Sequence, residues 1–88
     1  MALLKIAFTT YAWEDYQHWL AQDAKTLKRI NELIESIRRD PAGRGIGKSE
    51  LLKGNLAGWR SKRIDGANRM VYRIEGETLV IAQLRFHY

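Results

Sequence analysis

The sequence predicts an α+β fold in which two N-terminal helices pack on one face of an antiparallel β-sheet, in the order β-α-α-β-β-β. Three observations predict it. Apolar residues recur at helical spacing between Trp13 and Ile37, the period switches to two after Trp59, and turn signals at Asp65-Gly66 and Gly76 divide the second half into hairpin arms. With 88 residues the chain has room for a single domain, residues 1–88. Its modest core removes about 60 to 65% of the unfolded chain's surface from water.

Each element has a local cause. "LLKIAFT" is short and rich in strand formers, and is the first strand. Thr9 or Thr10 offers a capping oxygen to "YAWEDYQHWLAQ", where Trp13, Tyr16 and Leu20 lie at helical spacing. Asp23 caps a second helix, in which Leu27, Ile30, Ile34 and Ile37 form an apolar stripe, with Lys25, Lys28, Arg29, Glu32 and Glu35 outside. Pro41 stops that helix, and the two helices form a hairpin joined near residues 21–23. Residues 42–58 hold five of the seven glycines and read as a loop with one short turn around Leu51 and Leu52. "WRSKRI", "NRMVYRIE" and "TLVIAQLRFHY" are the remaining strands. Met70, Tyr72 and Ile74 alternate with Arg69, Val71 and Arg73; Val80, Ala82, Leu84 and Phe86 alternate with Leu79, Ile81, Gln83, Arg85 and His87. One sheet face is therefore apolar and takes the helices, while the other turns polar and basic toward the C-terminus.

Several function classes drop out. There is no cysteine, and the two histidines, His18 and His87, have no metal-ligand spacing, so neither a metal nor another cofactor is expected. "MALLKIAF" is interrupted by Lys5 and lacks a small-residue cleavage site, and no apolar run reaches the ~20 residues of a membrane span; a soluble, cytoplasmic protein is expected. Ala42, "GRGI", Gly47, Lys48 and Ser49 satisfy a loose phosphate-loop pattern, but that loop works between a strand and a following helix. Here a helix precedes it and strands follow, which argues against nucleotide hydrolysis. His18, amid Trp13, Tyr16 and Trp19, is read as packing or helix surface.

The net charge of +5 is localised. Residues 1–40 carry six basic and six acidic side chains and residues 71–88 two of each, so the excess lies between them. There Arg44, Lys48, Lys53, Arg60, Lys62, Arg63 and Arg69 face only Glu50 and Asp65. Such a segment is either a solvated basic face or a polyanion site, since clustered cations bind phosphates with release of counterions. On the predicted sheet Arg69, Arg85 and His87 share the uncovered face and Arg63 can join them. An acid, a histidine and several arginines suit cleavage of RNA without a metal. Glu50 could take the proton of the ribose 2′-hydroxyl, His87 could protonate the leaving 5′-oxygen, and Arg63 and Arg69 could hold the phosphoryl oxygens. The alternatives are that Glu50 pairs with Lys48 or Lys53 at the surface and that His87 frays with the terminus, leaving a non-catalytic basic module that binds RNA or a partner. Trp59 either stacks a base or packs in a strand.

"AWEDYQHW", "KRINELIESIRRDP", "GKSELLKGNLAGW", "SKRI", "NRMVYRI" and "RFHY" together resemble, in register over nearly the whole chain, the YoeB/Txe toxins, messenger-RNA interferases of the RelE superfamily. The resemblance implies a RelE-like fold, a homodimer, cleavage of messenger RNA in the ribosomal A site and neutralisation by a cognate YefM-like antitoxin. It places the general base at Glu50, a phosphate-contacting lysine at Lys53, the two key arginines at Arg63 and Arg69, the general acid at His87 and a C-terminal aromatic at Tyr88. The departures are a longer glycine loop before Glu50, Trp59-Arg60 where the tryptophan is often one place later, Lys62 for a common arginine and Asn68 for a common histidine.

Overall fold

The computed structural model describes residues 3–42 and 45–86. Strand β1 (Lys5–Phe8) leads into helix α1 (Thr10–Gln22), whose Thr9 cap accepts from the Ala12 N–H. Asp23 ends α1 and caps α2 (Ala24–Arg39), accepting from the N–H groups of Lys25 and Thr26, so one residue makes the whole hairpin connection. The hydrogen bonds from Thr26 hold the Asp23 carboxyl below its ordinary pKa. Helix α2 ends at Arg39, two residues before Pro41.

The second half forms β2 (Glu50–Leu51), a short 3₁₀ turn (Gly54–Leu56), β3 (Arg60–Arg63), β4 (Arg69–Glu75) and β5 (Thr78–Gln83). The sheet order is β1-β5-β4-β3-β2. Strands β2 to β5 pair antiparallel, whereas β1 lies parallel to β5, so the sheet is mixed and has five strands. The turn expected around Leu51 and Leu52 is instead the edge strand β2 followed by the 3₁₀ turn.

Helix α2 buries Ile30, Leu33, Ile34 and Ile37 against Met70, Tyr72, Leu79 and Ile81 of the sheet. Helix α1 presents Ala12 and Asp15 inward, while Trp13 and Leu20, expected on its apolar stripe, are exposed; Trp13 stacks on Tyr16 instead. Leu33 is fully buried, so Leu33→Ala is expected to destabilise the fold by about 2–5 kcal/mol in urea unfolding, with the unfolding slope little changed.

One register change corrects the predicted sheet faces. Tyr72 pairs with Ile81 and Val71 with Gln83, which leaves Ala82 as the extra residue of a bulge. The inward phase shifts there, so the core takes Leu79, Ile81 and then Leu84, rather than the expected set of Val80, Ala82, Leu84 and Phe86. Regular strand ends at Gln83 and residues 84–86 bend. His87 and Tyr88, expected on the last strand, lie outside the described residues.

Candidate active site

The glycine loop is held down by two contacts to one residue. Ser36 of α2 accepts the Ile46 N–H at 3.1 Å, and the buried Lys62 of β3 donates from Nζ to the Ile46 carbonyl at 2.7 Å. A side chain at Gly45 would collide with the Ser36 hydroxyl, and Gly47 takes a φ of +75°, which side-chain-bearing residues rarely adopt. Close approach and a left-handed turn thus explain glycines that sequence reading assigned only to loop character.

Lys62 therefore belongs to the interior rather than to a basic face. Burial holds its ammonium pKa below the ordinary 10.5; nearby Arg29 pushes the same way and Asp40 partly offsets both. In alkaline solution the unfolded chain then retains a proton that the folded chain gives up more readily. Stability should rise with pH between the folded value and 10.5 as the cost of the buried charge is relieved. Lys62→Met keeps the buried stem and is expected to abolish this rise, as urea unfolding at a series of alkaline pH values would show.

From this anchored loop the chain enters β2. Glu50 lies opposite Ser61, and the Leu52 N–H bonds to the Trp59 carbonyl at 2.9 Å. Just before it, the Ser49 hydroxyl shares a 2.7 Å hydrogen bond with the buried Tyr72 hydroxyl and accepts from Arg60 at 3.4 Å. The backbone at Glu50 is thus fixed while its side chain stays half exposed.

Arg63 and Arg69 are directly opposite in the β3–β4 register. Like charges so placed repel. Glu50 is the nearby counter-charge: its Oε1 stands 3.9 Å from Arg69 Nη1, an ion pair too long for a hydrogen bond. The Arg69 side chain is only 14% exposed, so this attraction is less screened than a surface pair would be. Together with Arg29, Gly47 and Lys48, these three residues line a cavity of about 300 Å³. Four cations around one carboxylate leave net positive charge, which an entering phosphate would neutralise.

The structure thus brings together Lys48, Glu50, Arg63 and Arg69, and adds Arg29, a residue expected on the outer face of α2. Two expected members stand apart. Lys53 is exposed at the entry to the 3₁₀ turn and does not line the cavity, and the Arg85 guanidinium lies 4.5 Å over the Phe86 ring. The missed signal was the spacing of Arg29, Leu33 and Ser36, which places all three along the edge of α2 that meets the glycine loop. Trp59 is half buried, with the Arg73 guanidinium 4.5 Å above its ring. His18 meets the Trp19 ring edge-on at 4.9 Å, as a packing residue. Among the described residues no helix is long and apolar enough to cross a membrane.

Two helices on a five-stranded sheet with a basic cleft define a protein of the RelE-type toxin class. The toxin–antitoxin complex RelBE2 from Mycobacterium tuberculosis matches this architecture with a TM-score of 0.72 at 26% identity, over 98% of this chain and all of that one. Within that class the chain belongs to the YoeB-like toxins of bacterial type II toxin–antitoxin systems, whose family model matches residues 8–88. Toxin YoeB from Streptomyces coelicolor is 52% identical over 85 residues, covering 97% of this chain and 100% of the relative. Toxin YoeB from Escherichia coli K12 is 42% identical over the same shares. The YoeB dimer from Staphylococcus aureus superposes with a TM-score of 0.89 at 45% identity, over 99% of this chain and all of that one, and its YoeB–YefM complex with 0.88 at 44% over the same shares.

Proposed function

We propose that this toxin is a ribosome-dependent endoribonuclease that cleaves messenger RNA in the A site without a metal, and so arrests translation in the cytoplasm. The observation that carries it is the single carboxylate of Glu50, 3.9 Å from Arg69 in a cavity that Arg63 and Lys48 also line. Glu50 removes the proton from a ribose 2′-hydroxyl; its oxygen attacks the adjacent phosphorus, the bond to the 5′-oxygen breaks, and His87 supplies the proton that this oxygen takes. The products are a 2′,3′-cyclic phosphate and a 5′-hydroxyl end. Arg63 and Arg69 hold the phosphoryl oxygens as charge builds on them, Lys48, Lys53 and Arg85 engage neighbouring phosphates, and Tyr88 stacks against the substrate. A YefM-like antitoxin neutralises the protein, which also pairs with a second copy of itself. Support for both partners comes from the dimer and the YoeB–YefM complex of the S. aureus relative.

The test is to induce the chain in a translating extract and map new messenger 5′-ends. New 5′-hydroxyl ends at ribosome-occupied codons are expected. Ribosome binding with no new ends would replace the nuclease by a basic binding module.

A further inference from the structure

Beyond Gln83 the chain is no longer held by a regular ladder. Its backbone is held instead mainly by side chains, with one backbone bond from Arg69. The Leu84 N–H donates to Oδ2 of the buried Asp15 at 3.0 Å, and the Leu84 carbonyl accepts from the Trp19 indole N–H at 2.8 Å. Both groups come from α1, one turn apart. The Phe86 N–H donates to Asn68 Oδ1 at 2.7 Å, and the Phe86 carbonyl accepts from the Arg69 N–H at 3.0 Å. Gln83 Nε2 donates to the Arg85 carbonyl at 2.7 Å.

These bonds converge on a strained residue. Phe86 has φ of +65°, the one non-glycine residue in that region among those described, yet the residue is 59% exposed, so core packing does not force the conformation. Such a conformation persists where the surroundings over-determine it, and it is characteristic of functional sites. Here the restraint is the set of three hydrogen bonds on its own N–H and C=O, the carbonyl accepting from the backbone of Arg69, which borders the cavity, and from Gln83 Nε2 at 3.3 Å. Asn68 is in turn steadied by Asp65, whose carboxylate accepts from its side-chain amide at 3.0 Å.

We infer that Trp19 and Asn68, with Asp15, are positioning residues: they clamp the backbone of residues 84–86 and so set the direction in which the chain leaves Phe86 toward His87. The inference rests on the acid role proposed for His87. Strand pairing alone holds a chain end only as far as its ladder runs; a clamp from α1 and from the β3–β4 turn carries fixed geometry from Gln83 on to Phe86.

Trp19→Phe removes only the indole donor, and Asn68→Leu removes the acceptor for Phe86 at similar size. Each is read in two ways. In amide hydrogen exchange on the folded protein, Asn68→Leu should strip protection from the Phe86 N–H, and each variant should increase the backbone mobility of the residues after Gln83. In single-codon cleavage on ribosomes, kcat should fall about tenfold to a hundredfold with KM near the parent's, because the cavity cations Lys48, Arg63 and Arg69 are untouched. Placed in a His87→Gln background, the same changes should cost almost nothing further, since they act through the missing group. Undiminished protection at Phe86, or losses that multiply fully with His87→Gln, would overturn the inference. Failure of the unsubstituted chain to cut RNA would sink the proposed function instead, and the exchange measurements would still decide whether these side chains direct the tail.

Discussion

Replacing His87 with Gln is expected to lower messenger cleavage by about two to four orders of magnitude, with ribosome affinity and unfolding midpoint close to the parent's. Gln retains size and hydrogen bonding but carries no transferable proton, so the leaving 5′-oxygen must depart unprotonated or draw a proton from water. An unperturbed imidazole titrates near ~6.5 and can both hold and release a proton near neutrality. Glu50→Gln should act at the other end of the same proton path, leaving the β2–β3 pairing at Ser61 intact and removing the anion that faces Arg69. A messenger with a 2′-deoxyribose at the scissile position should resist the unsubstituted toxin. Parent-like cutting by His87→Gln would remove the acid from the mechanism. Cutting of the deoxy substrate would remove the 2′-hydroxyl attack itself.

Arg69→Leu is expected to reduce single-turnover cleavage by about a hundredfold to a thousandfold. The Arg69 side chain is only 14% exposed, and a charge placed there loses little of its field to solvent. Its backbone N–H, which bonds to the Phe86 carbonyl, survives the substitution, so the tail clamp is retained. Stability should change little, because the repulsion between Arg63 and Arg69 across the β3–β4 pair disappears together with the attraction of Arg69 for Glu50. Arg69→Lys should recover part of the rate: it restores the charge without the planar fork that meets two phosphoryl oxygens at once. A parent-like rate in Arg69→Leu would take this residue out of the chemistry and leave Glu50 without its proposed partner.

The helices and most of the strands were legible in the residue order because their causes are local. Thr9 and Asp23 cap the helices through their own side chains, Pro41 lies two residues past the end of α2, and the alternation of Met70, Tyr72 and Ile74 marks the inner face of β4. Glu50, Arg63 and Arg69 could likewise be singled out by residue type and position in a basic stretch, and the fold brings all three to one cavity. Other features had no local signature. Parallel pairing of β1 with β5 joins Lys5 to Thr78 across nearly the whole chain, and no pattern within either strand encodes it. The bulge at Ala82 shifts the phase of β5, so strict alternation there misassigned its face; which residue is left unpaired depends on the register with β4. Charge type also misleads where burial is decided by distant partners. Lys62 was counted with the basic excess but is buried under the loop it anchors, Arg29 was placed on an outer face but turns into the cavity, and Asp15 is buried because the Leu84 N–H needs an acceptor. A charged side chain is drawn inside only when the fold supplies a hydrogen-bond partner that repays its lost hydration, and that partner is created by chain segments meeting in space.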